Sequence, residues 1–358
     1  MKVLVVDDSI VFRTAIKTAL SGSDFVTEVD VASNGKVAVD KIKQKNFDGV
    51  TLDLEMPILD GIETIKAIRE FDTRIPIIIF SAQNMNAANK TLVALEMGAD
   101  DFVQKIQGSS DLNDTLEQIR SQLIPRFKAL LDKRKSRQVL SSPVFVEPVV
   151  VTPKATSSYA PVSISSFTPN IICLASSTGG PDALRKFFGD LEKITVPMML
   201  VQHMPPIFTT QLAATLNDLS ENRVVEAKDG DILEGGTCYL APGDFHMRVE
   251  EAQDGNYRIS LDQGEKVCFV RPAADVLFES VVKNFRGNIA GVVFTGMGQD
   301  GAEGCKLIKE TQGAVLVQDE DSSVVWGMPG AVVEFGAYDK VQTIPELAKS
   351  INKIAGMI

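Results

Sequence analysis

The sequence predicts an α/β protein built from two units, an N-terminal (βα)5 unit over residues 1–123 and a C-terminal doubly wound parallel α/β unit over residues 169–358. In both segments, short apolar runs alternate with stretches of helical periodicity, a pattern typical of parallel sheets covered by helices on both faces. Between them, at residues 124–168, a charged stretch gives way to Ser, Pro, Thr and Val with almost no charge, a composition typical of a linker.

The composition disfavours several classes of protein. The chain has 358 residues, 44% of them hydrophobic, which is enough for two packed domains. A formal net charge of -11 disfavours nucleic-acid binding, and the short basic run at residues 133–137 is expected to be a solvated helix end. The four cysteines lack metal-ligand spacing and are expected to be reduced core thiols. No apolar run reaches the roughly 18–20 residues of a membrane span and no signal peptide is evident, so we expect a soluble, cytoplasmic protein.

Five strand–helix repeats are predicted in the N-terminal unit. The strands are expected at residues 2–6, 26–31, 49–52, 75–80 and 101–103. The helices are expected at residues 9–20 with Ser9 as the N-cap, 36–43, 61–69, 86–97 and 111–123, with a helical extension over 129–137. Ligands of such folds bind beyond the carboxyl ends of the strands.

Polar residues stand at four of the five predicted strand ends. Asp7 and Asp8 follow the first strand, Asp53 the third, Ser81 the fourth and Lys105 the fifth. Three carboxylates brought together repel one another unless a cation joins them, and Mg²⁺ prefers such an oxygen-rich setting. The set therefore predicts a pocket that holds a phosphoryl group on Asp53, whereas one such acid alone would be only a turn or cap residue.

These residues lie in motifs that resemble the receiver domain of two-component response regulators, a flavodoxin-like fold. VLVVDDS, DLEMP, the Asp-Gly pair at 60–61, FSA and Lys105 match that family in order. The resemblance implies that Asp53 accepts phosphate from a phosphohistidine on a partner chemotaxis histidine kinase. It also implies Mg²⁺ held by Asp8, Asp53 and the backbone carbonyl of Glu55, with Asp7 acting through water.

The same resemblance assigns the residues that respond to the phosphate. It implies that Ser81 shifts to bond the phosphate, with Lys105 beside it, and that Phe102 occupies the position of the family's switch aromatic. One residue departs from the family's pattern. Ile106 follows Lys105 where the family usually has proline.

The C-terminal unit opens with IICLASSTGG, where an apolar strand at 171–175 runs into a turn of small residues and a helix follows from Pro181. Such a joint leaves backbone N–H groups and the positive end of the helix dipole facing the turn. Ser177 in this turn is a candidate nucleophile with an oxyanion site beside it. The alternative is that the Ser and Thr residues of the turn only cap the helix.

An ester hydrolase needs a general base, and the chain has two histidines, His203 and His246. His203 follows a predicted strand at 198–202, as Ser177 follows its strand, so both are expected at one edge of the sheet. His246 falls within residues 236–249, a predicted β-hairpin. The pattern favours His203, although either imidazole alone can be structural.

A carboxylate in position to orient the base is Asp300, in the glycine-rich turn that follows an apolar strand beginning at residue 289. Such a carboxylate stabilises the charged imidazole of a catalytic triad. The alternative is that Asp300 only caps the helix expected near residue 302. The glycines of this turn match neither G-x-G-x-x-G nor a P-loop, which disfavours nucleotide binding.

Several motifs of this unit are similar to the chemotaxis protein-glutamate methylesterase (CheB) family: SSTGGP, QHMPP, LAPGDFHM, RPAADVLF, FTGMGQDGAEG and QDEDSSVVWGMPG. A receiver followed by this hydrolase unit is that family's domain order. The resemblance implies that Ser177 is the nucleophile, His203 the base and Asp300 its orienting carboxylate. It also implies that the backbone N–H of Met297 helps to form the oxyanion hole.

Three positions depart from that family's usual pattern. Ser176 stands where the family usually has alanine, Ile207 where it has glycine and Thr210 where an arginine is common near the substrate. Ser177, directly before Thr178, takes the motif position. The triad positions are unaffected, so the departures at Ile207 and Thr210 bear on substrate preference and rate.

The resemblance implies a phosphorylation-activated enzyme that hydrolyses glutamate γ-methyl esters on methyl-accepting chemoreceptors and deamidates receptor glutamines, in sensory adaptation. Mg²⁺ in the receiver domain is the expected cofactor, with none needed for ester hydrolysis, and the membrane is reached only through the receptors. Phosphorylation is expected to loosen the packing of the receiver over the active-site crevice. The alternative is a catalytically silent, phosphorylation-gated regulator that binds receptors, for which Thr210 is the argument.

Overall fold

The computed structural model describes residues 1–105, 112–140 and 159–356. Ile106 and residues 141–158 of the predicted linker lie outside the described residues. The chain divides into two units, Met1–Val144 and Phe145–Ile358. Among the helices that the structure describes, none combines the length and the apolarity that crossing a membrane requires.

The N-terminal unit alternates strands and helices, as the sequence predicted. The strands are β1 (Lys2–Val6), β2 (Glu28–Ala32), β3 (Gly49–Leu52), β4 (Ile77–Ser81) and β5 (Asp101–Gln104). The helices are α1 (Ile10–Ser21), α2 (Gly35–Gln44), α3 (Gly61–Arg69), α4 (Met85–Glu96) and α5 (Leu112–Leu140). All strands are parallel, in the order β2-β1-β3-β4-β5, so the strand order reverses between β1 and β3. Ligands of this topology bind beside that reversal.

Helix α5 joins two helical stretches that the sequence predicted separately. The prediction ended a helix at residue 123, began the linker at residue 124 and placed a helical extension over 129–137, whereas α5 continues unbroken through Pro125 to Leu140. Past the proline, the fully buried ring of Phe127 packs against Gly49 of β3. This burial of apolar surface offsets the backbone hydrogen bond that Pro125 cannot donate, and the helix therefore continues.

The C-terminal unit contains nine further strands and six further helices within the described residues. The strands are β6 (Ile171–Ser176), β7 (Met198–Gln202), β8 (Arg223–Glu226), β9 (Thr237–Leu240), β10 (His246–Glu251), β11 (Tyr257–Asp262), β12 (Ile289–Val293), β13 (Ala314–Gln318) and β14 (Lys340–Gln342). The helices are α6 (Gly180–Gly189), α7 (Phe208–Leu219), α8 (Ala274–Asn284), α9 (Ala302–Glu310), α10 (Gly327–Glu334) and α11 (Ile344–Ala355).

Seven of these strands form one parallel sheet in the order β14-β13-β12-β6-β7-β9-β8. The chain runs outward from β6 through β7 to β8 and β9, then returns to β12 on the other side of β6. The strand order therefore reverses between β6 and β12. The carboxyl ends of β6, β7 and β12 lie side by side, which is where a doubly wound sheet binds its ligand.

The hairpin predicted over residues 236–249 is wrong. Strand β9 pairs with β7 and β8 inside the parallel sheet, and β10 pairs instead with β11 in a separate antiparallel ribbon. The residues of β9 are all buried, as expected of a strand covered on both faces. The turn residues Pro242, Gly243 and Asp244 therefore carry the chain from one sheet to another rather than closing a hairpin.

The end of the predicted linker packs on the C-terminal unit. The N–H of Val162 donates to Asp339 Oδ1 at 2.7 Å, and Ile164 is buried in a single 3-10 turn, Ile164–Ser166. The end of the predicted linker is thus anchored on the C-terminal unit by Val162 and Ile164. The prediction that the linker is an extended tether therefore concerns only residues 141–158, which lie outside the described residues.

Candidate functional site

Ser177 lies in the turn between β6 and α6, as the sequence predicted. Its N–H donates to the Thr295 carbonyl at 3.0 Å, which ties the turn to the segment after β12. The N-cap of α6 is Gly179, at a φ of 77°, and no side chain caps the helix. The alternative that the serines of this turn cap α6 is therefore wrong.

The two serines of the turn have different partners. Ser176 Oγ is buried and donates to Gln202 Oε1 at 2.6 Å, while Gln202 Nε2 donates to the backbone carbonyl of Ser177 at 3.0 Å. Among the described residues, no hydrogen-bond partner takes the half-buried hydroxyl of Ser177. Gln202 thus fixes the turn and engages Ser176, which leaves the Ser177 hydroxyl available for reaction.

A histidine–carboxylate pair lies at the same sheet edge. His203 Nε2 is 2.7 Å from Asp300 Oδ2, and the His203 N–H donates to the Ser176 carbonyl at 3.2 Å. Asp300 also accepts from the N–H groups of Ala274 at 2.6 Å and Asp275 at 3.0 Å. Burial raises the pKa of Asp300, but the His203 ring and these N–H donors outweigh burial, and the net pKa is lowered. Asp300 is therefore held as a carboxylate against the imidazole.

His246, the other candidate base, is in a different setting. It is buried at the start of β10, where Nε2 is 2.9 Å from the Glu265 carbonyl and Nδ1 accepts from the Ala273 N–H at 3.2 Å. Both ring nitrogens are engaged by backbone groups. The geometry therefore supports His203 rather than His246 as the base.

The loop after β12 approaches Ser177 closely at Gly296, the residue before a backbone donor with no acceptor among the described residues. A Cβ on Gly296 would lie 2.9 Å from Ser177 Cβ, so only glycine allows this approach. The next residue, Met297, has no acceptor for its N–H among the described residues. This arrangement suits an oxyanion hole, in which a preorganised N–H faces the reacting carbonyl.

A cavity of about 620 Å³ opens beside this loop. Its lining is Cys268, Phe269, Gly298, Gln299, Trp326, Gly327, Gly330, Ala331 and Glu334. The Cys268 sulfur lies within 4.8 Å of carboxylate oxygens of Asp275 and Asp300, which connects the cavity to the histidine–carboxylate pair. The cavity is therefore the candidate substrate cleft.

Asp275 is a site residue to which the sequence analysis gave no role. Its Oδ1 accepts from the Gly304 N–H at 2.7 Å, and burial together with the charge of Asp300 raises its pKa from 3.8 to about 7. The RPAAD motif contains it, but a charged residue at the start of a helix is ordinarily only a cap or first-turn residue. The contact with Asp300 depends on tertiary packing and has no signal in local sequence.

The N-terminal unit carries a second polar site at the carboxyl ends of β1 and β3. One carboxylate oxygen each from Asp7, Asp8 and Asp53 lies within 4.8 Å of the others. Lys105 Nζ is 2.9 Å from Asp53 Oδ2 and 3.0 Å from Asp7 Oδ2. The structure thus brings together the acids and the lysine that the sequence placed at separate strand ends.

The electrostatics of this pocket fit a divalent cation. Burial raises the pKa of Asp7 and of Asp53, and in both residues it outweighs the opposing charge of Lys105. Burial lowers the pKa of Lys105, but Asp53 and Asp7 outweigh it and the net pKa is raised. Carboxylate oxygens are the ligands that Mg²⁺ prefers. A bound cation would also stabilise these buried carboxylates in their charged form.

Of the other predicted residues, Ser81 and Glu55 line the same pocket, and Phe102 does not. Ser81 is buried and its Oγ accepts from Thr91 Oγ1 at 2.8 Å, and Phe102 is also buried in β5. Glu55 lines the pocket and its side chain is paired with Lys90 at 2.7 Å, which leaves only its backbone carbonyl as the predicted metal ligand.

Two departures from the family pattern have clear structural settings. Ile207 is the N-cap of α7 and has a φ of 73°, a conformation that glycine adopts far more readily than a β-branched residue. Thr210 Oγ1 donates to Glu226 Oε2 at 2.8 Å. Thr210 is thus part of a surface hydrogen bond and brings no positive charge.

Comparison with known proteins identifies the family of the chain. The family model described as CheB methylesterase matches residues 172–351, and the response regulator receiver domain matches residues 3–117. The chain belongs to the CheB methylesterase family. Proteins named protein-glutamate methylesterase/protein-glutamine glutaminase are 40% identical in Trichodesmium erythraeum, over 99% of this chain and 99% of that protein, and 41% identical in a Nocardioides species, over 98% and 94%.

A solved structure gives the same result for the C-terminal unit. The Thermotoga maritima CheB methylesterase catalytic domain matches with a TM-score of 0.50 and 37% identity, over 51% of this chain and 97% of that domain. The CheB architecture, a flavodoxin-like receiver followed by a doubly wound α/β catalytic unit, is therefore the fold of this chain, as the sequence predicted.

Proposed function

We propose that this chain is a phosphorylation-activated enzyme that hydrolyses glutamate γ-methyl esters on methyl-accepting chemoreceptors and deamidates receptor glutamines. The observation that carries the proposal is the 2.7 Å contact between His203 Nε2 and Asp300 Oδ2 at the sheet edge where Ser177 follows β6. Relatives named for these two activities span nearly the whole chain, which supports the same chemistry here. We further propose that it acts in the cytoplasm and reaches the membrane only through the receptors.

Acyl transfer would begin at Ser177. Its Oγ attacks the ester carbonyl carbon as His203 accepts the hydroxyl proton. Because Asp300 engages Nε2, Nδ1 is the ring nitrogen left to take that proton. The protonated imidazole returns it to the departing methoxide, methanol leaves and Ser177 carries the glutamyl group as an ester.

The second half of the reaction uses the same residues in reverse. His203 takes a proton from water, the hydroxide attacks the acyl-enzyme, and Ser177 leaves with that proton. In each half, the N–H of Met297 stabilises the oxyanion on the former carbonyl oxygen. With glutamine as substrate, ammonia replaces methanol as the leaving group and the product is the same glutamate.

The receiver pocket would control this activity. Asp8, Asp53 and the Glu55 carbonyl would hold Mg²⁺, with Asp7 acting through water, and the bound ion would neutralise charge on the phosphoryl oxygens. Asp53 accepts the phosphoryl group from a chemotaxis histidine kinase, Lys105 binds a phosphoryl oxygen, and Ser81 donates to another. Phe102, buried on β5 beside the strand that ends at Ser81, would respond to the move of Ser81.

The coupling free energy between the two sites limits how far phosphorylation can raise the activity. A coupling free energy of about 1–3 kcal/mol between phosphorylation and catalysis corresponds to about 5–150-fold activation. An increase beyond that range would require an added gain in receptor binding.

The test is methanol release from membranes that contain methylated receptors, measured with and without a small-molecule phosphodonor and Mg²⁺. We expect release from the wild type that rises when the phosphodonor is added, and we expect the rise to be absent in Asp53→Asn. Receptor binding without methanol release in either state would instead identify a catalytically silent regulator.

A further inference from the structure

A tight two-residue turn at the cleft holds its two central residues in left-handed conformations. Val267 and Val270 pair through their backbones, with N···O distances of 3.2 and 2.9 Å. Between them, Cys268 has a φ of 50° and Phe269 a φ of 65°. Two positive φ values in succession match the type I′ turn of a hairpin, a turn that normally requires Asn, Asp or Gly. Neither central residue is one of these, so this turn is strained.

Burial of the Phe269 side chain does not offset this backbone strain. Phe269 is 96% exposed, more than any other large hydrophobic residue among those that the structure describes. A strained backbone that presents a large apolar side chain to solvent points to a function at that position rather than to packing.

The turn also connects the cleft to the histidine–carboxylate pair. Cys268 approaches the carboxylate oxygens of Asp300 to within 4.8 Å, and both Cys268 and Phe269 line the 620 Å³ cavity. A second aromatic residue, Trp326, lines the same cavity and lies against Gly330. The Phe269 ring is therefore at the rim of the cleft, one residue from a side chain that approaches the triad.

The charge of the cleft favours a neutral substrate side chain. Glu334 is the single charged side chain in the lining described above. A methyl ester or an amide can enter among apolar walls without losing the hydration of a charge, whereas the product carboxylate is also repelled by Glu334.

We propose that Phe269 is a specificity-determining residue, whose exposed ring packs on apolar side chains that flank the modified glutamate of the receptor. This inference rests on the proposed function, because it names how the same active site recognises its protein substrate. The two backbone hydrogen bonds between Val267 and Val270 fix the turn, so the backbone that carries the ring is already positioned at the cleft before the substrate binds.

The experiment compares Phe269→Ala, Phe269→Tyr and the wild type in steady-state methanol release from methylated receptors, with phosphodonor and Mg²⁺ present. Leu219→Ala, which removes another exposed apolar side chain of the same unit, is the matched control. Labelling of Ser177 by a small fluorophosphonate, followed by mass spectrometry, reports on the triad without a protein substrate.

We expect Phe269→Ala to raise KM by about tenfold or more, with kcat and the labelling rate within about twofold of the wild type. Phe269→Tyr is expected to restore KM, and Leu219→Ala to leave it unchanged. An unaltered KM in Phe269→Ala overturns the inference, as does a fall in kcat and labelling together. A rise in the activity of unphosphorylated Phe269→Ala with unchanged KM also overturns it, since the ring would then act in regulation. If the wild type itself releases no methanol, the proposed function fails instead.

Discussion

His203 Nε2 and Asp300 Oδ2 lie 2.7 Å apart, although 97 residues separate them in the chain. The two residues follow β7 and β12, which flank β6 on either side in the sheet. Asp300 is only 2% exposed and receives two further N–H groups from the start of α8, so its position is fixed independently of His203. The carboxylate therefore sets the orientation of the imidazole and assigns the proton to Nε2 in the neutral ring.

Replacing Asp300 tests this orientation. In Asp300→Asn, an amide can no longer stabilise the protonated imidazole, and it can present an N–H to Nε2 and so favour the wrong tautomer. We expect kcat for methanol release to fall by about 10³–10⁴-fold. Asp254→Asn, an exposed aspartate in the β10–β11 turn, is the control and should retain full activity. A loss of less than tenfold in Asp300→Asn would contradict the assigned role.

The raised pKa of Asp275 predicts a pH dependence of stability. Its pKa is about 7 in the folded protein against 3.8 for the ordinary side chain, so between these values the native state binds more protons than the unfolded state. Its contribution to the free energy of unfolding is therefore complete below about pH 4 and is lost as the pH rises through about 7.

Denaturation followed by the fluorescence of Trp326, the single tryptophan, measures this effect in the C-terminal unit. The wild type should lose more unfolding free energy between about pH 4 and about pH 8 than Asp275→Asn does. Asp218→Asn, which removes an exposed carboxylate of the same unit, should behave as the wild type. If the free energy of unfolding changed equally with pH in the wild type and in Asp275→Asn, the burial of this acid would be contradicted.

The acidic pocket predicts how Mg²⁺ binding depends on Asp8. This residue is exposed and is free to move onto an ion, whereas Asp7 and Asp53 already contact Lys105. We expect Asp8→Asn to weaken Mg²⁺ binding by about tenfold or more, because a charged oxygen ligand is lost. Calorimetric titration of the whole chain with Mg²⁺ measures the Kd for the ion. Asp60→Asn, which preserves the cap of α3, is the control, and a Kd unchanged in Asp8→Asn would remove Asp8 from the site.

A buried ion pair outside the active site predicts a large loss of stability when one partner is removed. Lys309 Nζ lies 2.6 Å from Asp339 Oδ1, and the two side chains are 0% and 1% exposed. Lys309→Met leaves Asp339 as a buried charge with no cationic partner, held only by the N–H groups of Val162 and Val315, which we expect to cost about 3–5 kcal/mol in unfolding free energy.

The matched control is Lys306→Met, which breaks an exposed pair with Glu303 on the same helix. We expect the control to cost less than about 1 kcal/mol. Trp326 fluorescence in urea measures both variants. Similar losses in the two would show that the pair between Lys309 and Asp339 is not desolvated.

The sequence predicted those features that depend on local pattern. Strand ends at Asp53 and His203 are visible because an apolar run stops at a polar residue, and a parallel sheet then brings such ends together. The continuity of α5 through Pro125 was not predicted because Pro125 is a local signal, whereas the burial of Phe127 against Gly49 is a tertiary one.

The same distinction explains the other differences. Turn residues after β9 resemble a hairpin locally, yet strand pairing assigns β9 and β10 to different sheets. Cys268, Asp275 and Asp300 come together from three different segments of the fold. No local sequence pattern therefore indicates that Cys268 or Asp275 belongs to the site. Long-range packing, rather than composition or periodicity, decides these positions.

The most direct measurement is the rate of methanol release from methylated receptors by Ser177→Ala and by its neighbour Ser176→Ala, each at saturating phosphodonor. Ser176 donates to Gln202, whereas the Ser177 hydroxyl is left for the substrate. We predict a fall of about four orders of magnitude or more in Ser177→Ala and a rate within about tenfold of the wild type in Ser176→Ala. Release by Ser177→Ala at a rate close to that of the wild type would contradict the assignment of the nucleophile and, with it, the proposed mechanism.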